Sequence, residues 1–97
     1  MKITWSYRGR NSLKEIIEYL VEEDIHAARR VRDRIIEKAD LLKENPYLGL
    51  PYEMNTRRLP LGDYPYAIYY RIMQQEIQIL QVRHAKRLPP ATDTLTG

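Results

Sequence analysis

Polar and apolar positions alternate over residues 2–7, KITWSY, with Ile3, Trp5 and Tyr7 on one side and Lys2, Thr4 and Ser6 on the other. A period of two marks a half-buried strand. The pattern breaks at GRNS, and Ser12 followed by Glu15 has capping-box spacing, which predicts a helix from Leu13. Leu13, Ile16, Ile17, Leu20 and Val21 then recur at helical spacing as one apolar stripe. The acidic run Glu22-Glu23-Asp24 ends that helix, and Asp24 is placed to cap a second one. Its buried stripe is Ala28, Val31, Ile35, Ala39 and Leu42, and Asn45-Pro46 stops it because proline cannot continue a helix. Two amphipathic helices with almost no loop between them form an antiparallel hairpin.

Beyond the hairpin the period returns to two. PYLGLPYEMN is a loop punctuated by Pro and Gly. TRRLPL reads as a short edge strand, since Pro60 removes a ladder donor. YPYAIYYRI and EIQILQV are the strongest strand signals, joined tightly around Met73 to Glu76. The order predicts an α+β fold: an N-terminal strand, an antiparallel helical hairpin, then a three-stranded antiparallel meander packed against the helices. Pairing Ile72 with Ile77 puts Tyr70 opposite Ile79 and Arg71 opposite Gln78. Uninterrupted alternation then sends Tyr66, Ile68, Tyr70, Ile72, Ile77 and Ile79 to a helix-packed face. Ala67, Tyr69, Arg71, Gln78, Leu80, Val82 and His84 share the other face, although Leu80 and Val82 also call for burial.

Composition narrows the function classes. At 97 residues the chain suggests one domain with a modest core. No cysteine means no disulfide, thiolate metal site or cysteine nucleophile. No apolar run reaches the roughly 18 residues of a membrane span, and MKITWSY lacks the apolar centre of a signal peptide, so a cytoplasmic protein without membrane association is expected. Residues 91–97, ATDTLTG, read as a flexible C-terminal tail after a single domain over 1–90. Net charge is +3, with eleven Arg against five Lys. The planar guanidinium grips phosphate and carboxylate bidentately, so anionic partners are favoured, whether nucleic acid or acidic protein. Eight Tyr and no Phe suit half-open surfaces and interfaces.

Taken together, AARRVRDRI in the second helix, NPYLGLP after it, TRRLPLGDYPYAIYYRI and the closing IQILQVRHAKR resemble the RelE/ParE superfamily of small toxins from bacterial type II toxin–antitoxin modules, over roughly residues 1–88. The resemblance is strongest to ParE-like members and implies a toxin that binds and poisons DNA gyrase, neutralised by a cognate antitoxin. Two alternatives stay open: a RelE-like ribosome-dependent mRNA interferase, and a non-toxic relative that binds nucleic acid or antitoxin. A homodimer or a toxin–antitoxin hetero-oligomer is implied, and no cofactor or metal. Glu18, Glu22 and His26 share one helix face but are read as a solvated face, not a metal site.

Candidate partner-binding residues are Arg57, Arg58, Tyr69, Arg71, Arg83, His84, Lys86 and Arg87. An interferase must activate a 2′-OH, stabilise charge on the phosphate and protonate the leaving oxygen. His84 and Arg71 are the catalytic candidates in that case only, because His titrates near neutrality and Arg71 is expected on its face. The chain departs from interferase patterns: no Lys lies between Lys43 and Lys86, and Ala85 follows the histidine where some interferases place Tyr. The Arg29, Arg30, Arg32 and Arg34 run reads as a solvated helix face paired to Asp33 and Glu37.

Overall fold

The computed structural model describes residues 1–85. Strand β1 (Lys2–Trp5) leads into helix α1 (Tyr7–Glu23), helix α2 (Ile25–Asp40) and a 3-10 turn at Leu41–Lys43. Strands β2 (Leu50–Pro51), β3 (Arg57–Pro60), β4 (Tyr66–Met73) and β5 (Glu76–His84) follow. They form one five-stranded sheet in the order β1-β5-β4-β3-β2, with β1 parallel to β5. The predicted α+β fold is the observed one, and the meander β3-β4-β5 is antiparallel throughout. Both β1, which returns to the far end of the meander, and the two-residue β2 inside the expected loop extend it.

Helix α1 starts at Tyr7, six residues earlier than its predicted start at Leu13. Ser6 is the cap: its Oγ accepts the Gly9 amide at 2.9 Å, while its own amide donates to the Ile79 carbonyl at 3.0 Å. Gly9 is inside the helix because the first turn lies directly on β5. A Cβ there would stand 2.5 Å from the Ile79 carbonyl oxygen. Ser12, expected as the cap, instead donates to the Gly9 carbonyl and accepts the Val82 amide, each at 2.9 Å. Asp24 caps α2 as expected, with Oδ1 accepting the His26 amide at 2.9 Å. Hydrogen bonds from the His26 and Ala27 amides hold its carboxyl below the usual aspartate value.

The core lies between the hairpin and one face of the sheet. Val31, Ile35, Ala39 and Leu42 meet Leu59, Leu61, Tyr66, Ile68, Tyr70, Ile77, Ile79 and Val82 there. All five positions of the expected α2 stripe are buried. The stripe of α1 is divided: Leu13, Ile16 and Leu20 pack on the core, whereas Val21 is exposed. Arg34 ties α2 to the β3–β4 connection through Asp63 at 2.8 Å, which pushes the Asp63 carboxyl below its ordinary value. Arg34–Glu37 and Arg32–Asp33 are the paired charges expected along α2. None of the described helices is long and apolar enough to cross a membrane.

Candidate functional site: the open face of the sheet

The helices cover one face of the sheet, and the opposite face carries the arginines. Near the β4–β5 turn the register is the predicted one: Ile72 opposite Ile77, Arg71 opposite Gln78, Tyr70 opposite Ile79. One step further, Tyr69 lies opposite Gln81, so Leu80 is an extra residue in β5. Such a bulge shifts the two-residue alternation by one and exchanges the faces beyond it.

This corrects the expected placement of the cationic strand end. Val82 and His84 lie opposite Ile68 and Tyr66, on the helix-packed side, and Val82 is buried there. Arg83 and Gln81 take the open side with Ala67 and Tyr69. His84 therefore does not share a face with Arg71. Its ring stands edge-on to Tyr66 with centroids 5.4 Å apart, beside Ser12, Glu15 and Tyr19 of α1. The two candidates are also five residues apart along the ladder, about 17 Å at the usual rise of a strand.

Tyr69 is the centre of the open face. It is 5% exposed although no helix covers it. The Arg58 and Arg83 guanidinium carbons lie 6.0 and 5.1 Å from its ring centroid, and Arg58 Nε donates to its hydroxyl at 3.1 Å. Tyr52 adds an edge contact at 5.2 Å, and Arg83 Nε donates to Gln81 at 3.0 Å. Cation–π contact and the hydroxyl bond hold the side chains in place. Tyr52 was missed by sequence reasoning, because a loop tyrosine carries no periodic signal.

Arg57 and Arg58, consecutive in β3, point to opposite faces. Arg57 lies over the Tyr47 ring at 5.0 Å and donates through Nε to the Gly49 carbonyl at 2.8 Å. It braces the β2 loop and is not part of the open face. Arg71 is exposed, and its Nε donates to Gln78 at 2.8 Å. Lys86, Arg87, the domain boundary at residue 90 and the tail at 91–97 lie outside the described residues.

A second feature is apolar. Two adjoining hollows on the hairpin share Ile17 and Arg32. The larger, about 670 Å³, is lined by Trp5, Leu13, Ile17 and Ile36 with Arg10, Lys14, Glu18 and Arg32 around them. The smaller continues it along Val21, Ile25 and Ala28. Val21, Ile25 and Ile36 are 45%, 57% and 41% exposed, so the part of the α1 stripe that the core leaves over opens into a groove.

A small α+β domain with one arginine-bearing sheet face and an apolar hairpin groove matches a known class of proteins. Residues 3–89 match the family described as ParE toxin of type II toxin–antitoxin system, parDE. Y4kP of Sinorhizobium fredii is 41% identical over 90 residues, covering 92% of this chain and 93% of that one. Toxin RelE2 of Caulobacter vibrioides is 31% identical over 87 residues, covering 90% and 98%. Among solved structures, a chain from the chromosomal ParDE TA system of P. aeruginosa superposes with a TM-score of 0.78 at 27% identity, covering 89% and 97%. The chain belongs to the ParE toxin family, within the RelE/ParE superfamily of type II toxin–antitoxin toxins. That membership implies a cognate antitoxin as partner.

Proposed function

We propose that this toxin arrests growth by binding and poisoning DNA gyrase, without cleaving a substrate itself. One observation carries the reading. Arg71 and His84 lie on opposite faces of the sheet, separated by the bulge at Leu80. In-line cleavage of RNA needs a general acid or base and a cation at the same phosphate. The open face supplies accessible cations at Arg58 and Arg71 around a buried Tyr69, and the histidine packs against Tyr66 on the other side.

The antitoxin occupies the hairpin groove in this reading. An amphipathic segment with acidic flanks fits apolar Ile17, Val21, Ile25 and Ile36 between Arg10, Lys14, Arg29 and Arg32.

The test is a supercoiled plasmid incubated with gyrase and the purified chain, then denatured and deproteinised. Linearised DNA is expected, with His84→Ala as effective as the unaltered chain. Ribosome-dependent mRNA cleavage without any effect on gyrase would falsify the reading. So would loss of growth arrest in a folded His84→Ala variant.

A further inference from the structure

We propose that the cleft beside Arg71 is a nucleic-acid site that holds a phosphodiester of the DNA in the gyrase complex. It rests on the gyrase reading only for the identity of that nucleic acid. The cleft lies between the start of α1 and the β1 side of the open sheet face, with a volume of about 540 Å³. Two guanidinium groups line it, Arg8 from α1 and Arg71 from β4, and none of the described residues in its wall is a carboxylate. The cleft beside His84, by contrast, includes Glu15.

Gln78 makes Arg71 directional. By accepting from Nε at 2.8 Å, it fixes the guanidinium plane and leaves the terminal amino groups on an exposed side chain. A planar, pre-oriented fork matches two oxygens of one phosphate. Asn11 adds an amide to the same wall, and its Nδ2 donates to Glu15 at 3.0 Å.

Tyr7 selects nucleic acid over an acidic peptide. It is 77% exposed at the first helical position, adjoining Arg8 in the cleft wall. A peptide carboxylate gains nothing from an exposed ring, whereas a nucleotide offers a sugar and base beside its phosphate to lie against it. Leu80, half-buried at the bulge, gives the floor an apolar patch. The bulge that removes His84 from this face thus also shapes the cleft.

Charge distribution points the same way. Residues 7–44 hold nine basic and nine acidic side chains, so the net positive charge of the chain arises outside the hairpin. Arg58 and Arg71 continue the cationic surface of the cleft across the open face.

Fluorescence anisotropy of a labelled DNA duplex titrated with the full chain tests the site between about 50 and 200 mM salt, where each phosphate contact adds about −0.9 to the salt slope. Arg71→Gln and Arg8→Gln are each expected to weaken binding about fivefold and to remove about one unit of slope. Tyr7→Ala is expected to weaken binding with the slope unchanged. Arg30→Gln, an equal charge loss on exposed α2, is expected to leave binding as it was. The proposal is overturned if the unaltered chain does not bind DNA, if Arg30→Gln acts like Arg71→Gln, or if polyglutamate of equal charge displaces the duplex with the same dependence on Arg71. With gyrase present, the double variant of Arg8 and Arg71 is expected to keep its association with the enzyme and lose the trapped cleavage product. If even the unaltered chain traps nothing, the gyrase reading alone fails, and the cleft is judged by anisotropy.

Discussion

The hydroxyl of Tyr70 lies in the fully buried core and still makes two hydrogen bonds. It accepts the Gly49 amide at 2.9 Å and donates to the Pro46 carbonyl at 2.8 Å, so one side chain closes the loop between the hairpin and β3. The approach is close enough that a Cβ on Gly49 would stand 2.8 Å from the Tyr70 ring. Tyr70→Phe keeps the ring but leaves a buried amide without its acceptor, a loss of about 1–3 kcal/mol. Thermal unfolding should fall by about 4–8 °C for each kcal/mol in a domain of this size. An unchanged melting temperature would refute the role. The excess of tyrosine over phenylalanine was visible in the sequence and suggested half-open surfaces. Tyr66, Tyr69 and Tyr70 are buried instead, the last two with their hydroxyls bonded to Arg58 and the Gly49 loop. Composition reports that a polar tip needs a partner; it does not say whether water or protein supplies it.

At the scale of elements, the α2 stripe and the turn-proximal register were legible because 3.6- and 2-residue periods are local properties of the chain. The start of α1 was not. Gly9 reads as a helix breaker in isolation, and only contact with β5 makes glycine the residue that fits. Gly9→Ala raises intrinsic helix propensity, so an isolated helix would gain from it. In the folded chain it should destabilise by about 1–3 kcal/mol, because the new methyl forces α1 off the strand. Chemical denaturation is the measurement, and a stabilised variant would mean that α1 does not lie on Ile79. The bulge did leave a trace in the sequence. Apolar positions run Ile77, Ile79, then Leu80, Val82, a change from odd to even that uninterrupted alternation cannot bury. Taking that change as a bulge would have moved His84 to the helix side.

The whole molecule divides its surfaces by chemistry: an apolar groove with a mostly basic rim on the hairpin, and arginines on the open sheet face. In the proposed reading the groove takes the antitoxin and the arginine-bearing face takes the target, so the two surfaces stay apart. Ile36→Glu tests the groove. The side chain is 41% exposed, so the fold should survive, while a carboxylate in an apolar groove should weaken antitoxin binding about tenfold or more. Calorimetric titration with the cognate antitoxin measures this, and an unaltered affinity would place the antitoxin elsewhere.

The sequence by itself determined the α+β class, both helices, the meander, the pairing of Arg71 with Gln78 and the superfamily, because each follows from local periodicity or from the order of motifs. Tertiary structure decided which side chains share a surface. The parallel return of β1 to β5 links residues more than 70 positions apart, and no local pattern encodes such a pairing. One inserted residue in β5 reversed the sides of Arg83 and His84, since a strand's faces exchange with every single-residue step. The candidate residues were therefore readable from the chain, and their division into an open-face group and a helix-packed histidine came from the fold.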